Sequence, residues 1–174
     1  MRCFALGLLL IGSGPAAAEV VSADGHGFEV QEAVNLVIPP AQAYAAFGRI
    51  GAWWNAEHTY SGASANLRLG LQPGGCFCEL NPKGGGVEHM RVALVMPGER
   101  IVMTGSLGPL LYEAVTGVMD VKFERIAGGT HVILNYRAAG FAKGDADKMA
   151  AIVDSVLADQ MKRYRAFAAK GGGK

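Results

Sequence analysis

The stretch DADKMAAIVDSVLADQMKRYRAFA, residues Asp145 to Ala168, decides how the rest of the chain must fold. Its apolar and small residues Met149, Ile152, Val153, Val156, Leu157, Gln160, Tyr164 and Phe167 recur at the spacing of one face of a 3.6-residue helix. Lys148, Asp154, Ser155, Asp159, Lys162, Arg163 and Arg165 fall mostly on the other side. Asp145 or Asp147 suits the start as cap or charge, and Lys162, Arg163, Arg165 and Lys170 crowd the end, as the helix dipole favours. At about 1.5 Å per residue such a helix is roughly 36 Å long, enough to cross a small domain. A long amphipathic helix needs an apolar surface to cover, and the preceding sequence supplies it as strands.

Phe28, Val30, Glu32, Val34, Leu36 and Ile38 fall on one side of an alternating run. Pro39-Pro40 ends that strand and opens a short helix over Ala41 to Ile50, with Ala43, Tyr44, Phe47 and Ile50 inward. Gly51 breaks it, and Ala52-Trp53-Trp54 starts a second short turn. Six strands follow: Ala65–Leu69, Cys76–Leu80, Val87–Met96, Arg100–Thr104, Val115–Ile126 and Thr130–Ala138, joined by short turns mostly rich in Gly and Pro. Such short connections demand antiparallel pairing in a meander. The expected fold is therefore α+β and helix-grip. A curved antiparallel sheet of about six to seven strands wraps a long C-terminal helix, with two short helices after the first strand.

Arg2, the apolar run Cys3 to Ile11 and Ala16-Ala17-Ala18 read as a secretory signal peptide over residues 1–18, cleaved before Glu19. Residues 19–170 then form a single domain and 171–174 a flexible tail. The reading implies a secreted or periplasmic protein without stable membrane insertion after cleavage. Of sixteen Lys and Arg residues one, Arg2, lies in the leader, which leaves fifteen against fifteen Asp and Glu. Neither a basic run nor a basic stripe with interleaved aromatics is present, so nucleic acid is not an expected partner. Cys76 and Cys78 are two residues apart, at the far end of disulfide reach in a regular strand, and are expected as free packed thiols.

Several stretches resemble the exported branch of the START-related SRPBCC superfamily, described as polyketide cyclase/dehydrase-like. They are Trp53-Trp54, His58-Thr59-Tyr60-Ser61-Gly62, Gly74-Gly75-Cys76-Phe77-Cys78-Glu79, Gly85-Gly86-Val87-Glu88-His89, Leu107-Gly108-Pro109-Leu110 and Gly129-Thr130. The resemblance runs from about Glu29 to Phe167 and implies an apolar cavity between sheet and helix. It does not imply one function, since the superfamily includes lipid carriers, hormone receptors, cyclases, oxygenase subunits and chaperone co-factors.

A single helix cannot fill a strongly curved sheet, which argues for the same cavity, although ordinary packing of the helix stripe is the competing reading. Met149, Val153 and Val156, with Met161, are the expected helix lining; Trp53 and Trp54 are placed near the mouth as ligand-binding candidates, and Tyr60, with Tyr112 and Tyr136, can offer a hydroxyl to a ligand. Glu79, His89 and His58 are the candidate acid–base groups. Two hairpin registers are open: with Leu80 opposite Val87, Glu79 faces Glu88; slipped by one, Glu79 and His89 share a face. Two His and one Glu also form a conceivable zinc or iron set, but no compact ligand motif supports it, and neither metal nor cofactor is assigned. There is no G-x-S-x-G, phosphate-cradling loop or dinucleotide fingerprint. These features favour an exported binding protein for a hydrophobic or amphipathic small molecule. A cyclase, dehydratase or hydrolase using a Glu/His pair is the alternative, and a protein-interaction module like chaperone-ATPase activators is the third.

Overall fold

The computed structural model describes residues 19–172; the signal-peptide reading of 1–18 lies outside the described residues, as do Gly173 and Lys174. The strands are β1 (Glu19–Ala23), β2 (Gly27–Leu36), β3 (Leu67–Leu69), β4 (Cys76–Leu80), β5 (Gly86–Met96), β6 (Arg100–Gly105), β7 (Thr116–Ile126) and β8 (Gly129–Ala139). They form one antiparallel sheet in the order β1-β2-β8-β7-β6-β5-β4-β3. The helices are α1 (Pro40–Gly48) and α2 (Ala146–Ala169). Three short 3-10 turns lie between α1 and β3, and another spans Gly108–Glu113. This is the helix-grip fold.

The topology follows from local signals. Alternation in β2 buries Phe28, Val30, Glu32, Val34 and Leu36 on one face. Pro39 then stands at the N-cap of α1 and Pro40 enters its first turn, where the missing N–H costs nothing. The chain crosses to the far edge at β3 and meanders back until β8 pairs with β2 along its full length, from Gly27–Ala139 to Leu36–Thr130. Irregularities between Val20 and Ser22, Phe77 and Cys78, and Val92 and Leu94 break the ladder. Bulges of this kind bend a sheet and let it curl around a helix.

Strand β1 adds an eighth strand to the six or seven expected. Its sequence EVVSA is exposed at every position, so no alternation marks it, and it is held by pairing with β2.

α2 grips the sheet unevenly. Ala146, Ala150, Leu157, Gln160, Met161, Tyr164 and Ala168 are its buried residues. The C-terminal half is locked down: the Tyr164 hydroxyl donates to the Ala43 carbonyl (2.8 Å), and Gln160 Oε1 accepts the Asn55 amide (2.8 Å). Trp53 Nε1 donates to the Ala46 and Phe47 carbonyls (3.2 and 3.3 Å), and so covers the open end of α1. In the N-terminal half Met149, Val153 and Val156 are only half-buried, and Ile152 is 58% exposed, outside the inward face expected for it. The apolar stripe is continuous, but in its first half only the small Ala146 and Ala150 are fully buried, while Met149, Val153 and Val156 are half-buried.

Asp147 lies in the first turn of α2, the acidic charge expected there. Asp145 occupies the N-cap but its side chain makes no cap bond; Oδ1 accepts from Lys148 Nζ instead (2.8 Å). At the other end Gly171 adopts φ +84°. The Gly171 amide donates to Ala168 and that of Gly172 to Phe167, the Schellman closure. Arg49 Nη1 donates to the Gly172 carbonyl (2.9 Å) beside this turn.

Candidate functional site

Glu79 and His89 meet because β4 and β5 take the slipped register. Leu80 pairs with Gly86 and Glu79 with Val87, which puts Glu79 and His89 on one face. Cys78 pairs with Glu88 but Phe77 with Met90, so His89 is the extra residue of a bulge. His89 and Met90 consequently both turn inward, where a regular strand would bury one of them. Nε2 of His89 lies 3.2 Å from Oε2 of Glu79, with the two residues 4% and 2% exposed.

The loop after the tryptophans completes the pair. The Tyr60 amide donates to Glu79 Oε2 (3.0 Å) and the Ser61 amide to Oε1. Burial pushes the Glu79 carboxyl up, but these donors, the Ser61 hydroxyl and His89 outweigh it and hold it below its ordinary value. Burial also pushes the His89 imidazole down, and the opposing pull of Glu79 does not cancel that. At neutral pH the pair is a carboxylate and a neutral imidazole. The imidazole ring stacks on Tyr60 (centroids 5.8 Å apart, planes at 28°) and tilts against Phe77 (5.0 Å, 41°).

Beside this pair is a cavity of about 390 Å³. Its sheet wall includes Phe77 and His89, and Met149, Val153, Val156 and Leu157 of α2 form the helix wall. The segment Leu107 to Leu110 closes another side, and Trp54, His58, Tyr60 and Tyr112 also border the space. The lining is overwhelmingly apolar and includes no Lys or Arg.

The expected site residues therefore divide. Trp54, Tyr60, Met149, Val153 and Val156 line the cavity; Met161 is buried and does not. Trp53 is a core residue instead, its ring 5.3 Å from those of Phe47 and Tyr164 and 5.6 Å from that of Trp54, and it does not reach the cavity. His58 is exposed at the border; its carbonyl accepts from Trp54 Nε1 (3.0 Å), while its imidazole bonds neither Glu79 nor His89. It is thus separate from the pair it was expected to join, because it sits on the exposed 3-10 turn Ala56–His58. Tyr112 is 76% exposed, and the buried Tyr136 hydroxyl is near the Leu107 amide (3.4 Å).

Cys76 and Cys78 correct a second expectation. They form a disulfide with Cα atoms 5.2 Å apart, inside the range such a bond accepts. The ladder irregularity at Phe77/Cys78 departs from the regular strand on which the free-thiol reading rested. With Glu88 they are the cluster of potential metal ligands found among the described residues, and His89 points to the other face.

Sequence reasoning passed over Glu32. It is 5% exposed on the inner face of β2, where burial first, and Asp154 of α2 second, push its carboxyl up to about 8. Its place in an otherwise apolar alternation (Phe28, Val30, Val34, Leu36) was the signal.

No protein-family model and no curated protein matches the sequence. Solved structures do match, at identities that speak for the fold alone. The Aha1 dimer of Colwellia psychrerythraea superposes with TM-score 0.57 and 14% identity, over 82% of this chain and 97% of that one. A Rhodobacter sphaeroides protein gives 0.56 and 15%, over 88% and 99%. The di-domain ARO/CYC protein StfQ of the steffimycin biosynthetic pathway gives 0.54 and 15%, over 86% of this chain and 53% of that one. The likeness is one of fold, the helix-grip architecture, and it is shared by proteins of different function.

Proposed function

We propose that this protein binds a hydrophobic or amphipathic small molecule in the cavity between the sheet and the N-terminal half of α2. The observation that carries this is the behaviour of Met149, Val153 and Val156: apolar helix residues at the edge of the core, half-buried and bordering about 390 Å³ of space. That volume lies near the lower end of the range for small-molecule sites, which are typically apolar with few polar groups. The signal-like leader, Arg2 to Ala18, supports a periplasmic or secreted setting, and among the described residues no helix is long and apolar enough to cross a membrane. The quoted motifs and the leader support the exported branch of the SRPBCC superfamily as the home of this chain, and the helix-grip neighbours agree with it in fold.

Native mass spectrometry of protein gently purified from the exported fraction tests this reading. A small-molecule adduct, or saturable one-to-one uptake of the neutral dye N-phenyl-1-naphthylamine, is expected; absence of both contradicts it.

The Glu79–His89 contact supports a second reading, an enzyme of cyclase, dehydratase or hydrolase type in which His89 exchanges a proton with a bound substrate and Glu79 orients it. His58, outside hydrogen-bond reach of the pair, would serve at the mouth. In that case Glu79→Gln abolishes turnover while ligand binding persists; unchanged turnover contradicts it.

A further inference from the structure

The Cys76–Cys78 disulfide joins two residues of one strand and ties no two elements together. The stabilisation a disulfide gives grows with the loop it closes, and this loop is nearly the shortest a chain can form. Strand β4 is held by its ladders instead. Arg68 of β3 is opposite Cys78, and Arg91, Met90 and Glu88 of β5 are opposite Cys76, Phe77 and Cys78. The bond is therefore not what keeps the strand in place.

Its surroundings suit thiol chemistry. Phe77 and Glu79 are buried on the inner face, so both cysteines are on the outer face of the sheet, half-buried and opposite the cavity. Cys76 Sγ is 3.7 Å from Glu88 Oε2 in an exposed contact, and Arg91 Nε holds that carboxylate from 3.1 Å. Arg68 is the exposed cross-strand neighbour of Cys78. Cationic neighbours beside a partly exposed sulfur pair favour the approach and the departure of thiolates, and exposed disulfides are the labile ones.

The bond also shapes the wall behind it. The two Cα atoms are 5.2 Å apart, where a regular strand would set them about 6.6 Å apart. The ladder slips between Phe77 and Cys78, which leaves His89 as the extra residue. Phe77, between the cysteines, faces the cavity, its ring 5.4 Å from that of Trp54 and 5.0 Å from that of His89.

We propose that Cys76–Cys78 is a reversible thiol–disulfide exchange site, reduced by an external thiol, and that its redox state is passed through Phe77 to the cavity wall. An incoming thiolate bonds to one sulfur; the S–S bond breaks, and the other sulfur leaves with the electron pair and takes a proton. A second external thiolate attacks the external sulfur of the mixed disulfide and frees the remaining cysteine. Two external thiols are oxidised to their disulfide, and the protein disulfide is reduced to two thiols. Freed of the bond, β4 lengthens towards regular spacing and Phe77 moves with it. None of this depends on what the cavity binds.

Reduced glutathione, applied to the full protein, is the probe, with free thiols counted by mass after timed alkylation with iodoacetamide. Reduction of the folded protein should run within about tenfold of the rate in urea. A bond that opened only on unfolding would react about a thousandfold more slowly, or worse. Oxidised glutathione should restore the bond. In proton–nitrogen-15 spectra of the reduced, folded protein, the Phe77 amide and the Trp54 indole should shift while the amides of α1 stay in place. Cys76→Ser/Cys78→Ser should fold and reproduce those shifts without any reductant. Reduction outside the tenfold window, or failure of oxidised glutathione to restore the bond, overturns the exchange site. Unfolding of the reduced protein or of the double variant makes the bond a structural staple and overturns it as well. Reduction that leaves the Phe77 amide and the Trp54 indole unmoved overturns the transmission to the cavity.

Discussion

Replacing Glu79 by Leu should be among the costliest single changes in the molecule, because one carboxylate satisfies at least three donors. It accepts the Tyr60 amide, the Ser61 amide and His89 Nε2–H. Stranding a buried donor costs about 1–3 kcal/mol. The two amides lie on a partly exposed loop where water can replace the carboxylate, so each belongs at the low end, about 1 kcal/mol. The His89 donor is enclosed and belongs near about 2 kcal/mol. The total expected loss is about 3–4 kcal/mol, reduced somewhat by the easier burial of Leu. With a urea m-value of about 2 kcal/mol/M, the unfolding midpoint should fall by roughly 1.5–2 M. Glu79→Gln keeps one acceptor oxygen and should cost less, about 1–2 kcal/mol. Urea unfolding followed by tryptophan fluorescence under oxidising conditions, together with the double-mutant cycle Glu79→Leu/His89→Leu, gives these numbers. A coupling of about 1 kcal/mol or more is expected. A loss below about 1 kcal/mol for Glu79→Leu, or coupling near zero, would refute the hydrogen bonds that join Glu79 to His89 and the Tyr60–Ser61 loop.

Other consequences follow from the same geometry. The Glu32 carboxyl is raised to about 8 in the fold from an ordinary 4.5, so its contribution is fully present below pH 4.5 and is lost as pH rises towards 8. Glu32→Gln should flatten the stability profile across that window, by at most about 1.4 kcal/mol per pH unit; parallel profiles for the two proteins contradict this. On the acid side the His89 imidazole is lowered from 6.5 and the Glu79 carboxyl from 4.5, so the His89 contribution should be lost as pH drops below about 6.5 and that of Glu79 below about 4.5, against the opposing Glu32 slope; His89→Phe should lose the histidine part in an acid titration. Gly171→Ala should cost about 1 kcal/mol in thermal or urea unfolding, because φ +84° strains any side chain there, whereas Gly25→Ala, with no positive φ, should cost less.

What was readable in the sequence was whatever a periodicity encodes. The helix from 145 to 168, the alternation of Phe28 to Leu36 and the glycine-marked turns give the helix-grip architecture without coordinates. The cavity was half-legible: the stripe Met149, Val153, Val156 could be seen, but periodicity does not tell an apolar residue that packs from one that borders empty space. Ile152 shows the same limit, being in phase with the stripe yet mostly exposed. The Glu79–His89 pair hung on a register that two-residue alternation leaves open, and a bulge at His89, which alternation cannot express, completes it. The same irregular stretch holds the Cys76–Cys78 bond that a regular strand would disfavour. Trp53 and Trp54 are adjacent and alike in composition; only the end of α1, whose carbonyls Trp53 covers, sends one to the core and leaves the other for the cavity.

The central claim is that the space in front of Val153 is a binding site, and Val153→Trp tests it most directly by filling that space from the helix wall. Titration of wild type and Val153→Trp with N-phenyl-1-naphthylamine, with circular dichroism to verify the fold, should give saturable one-to-one binding in the first and its loss in a folded second. Equal binding by both proteins, or none by wild type, would contradict the account.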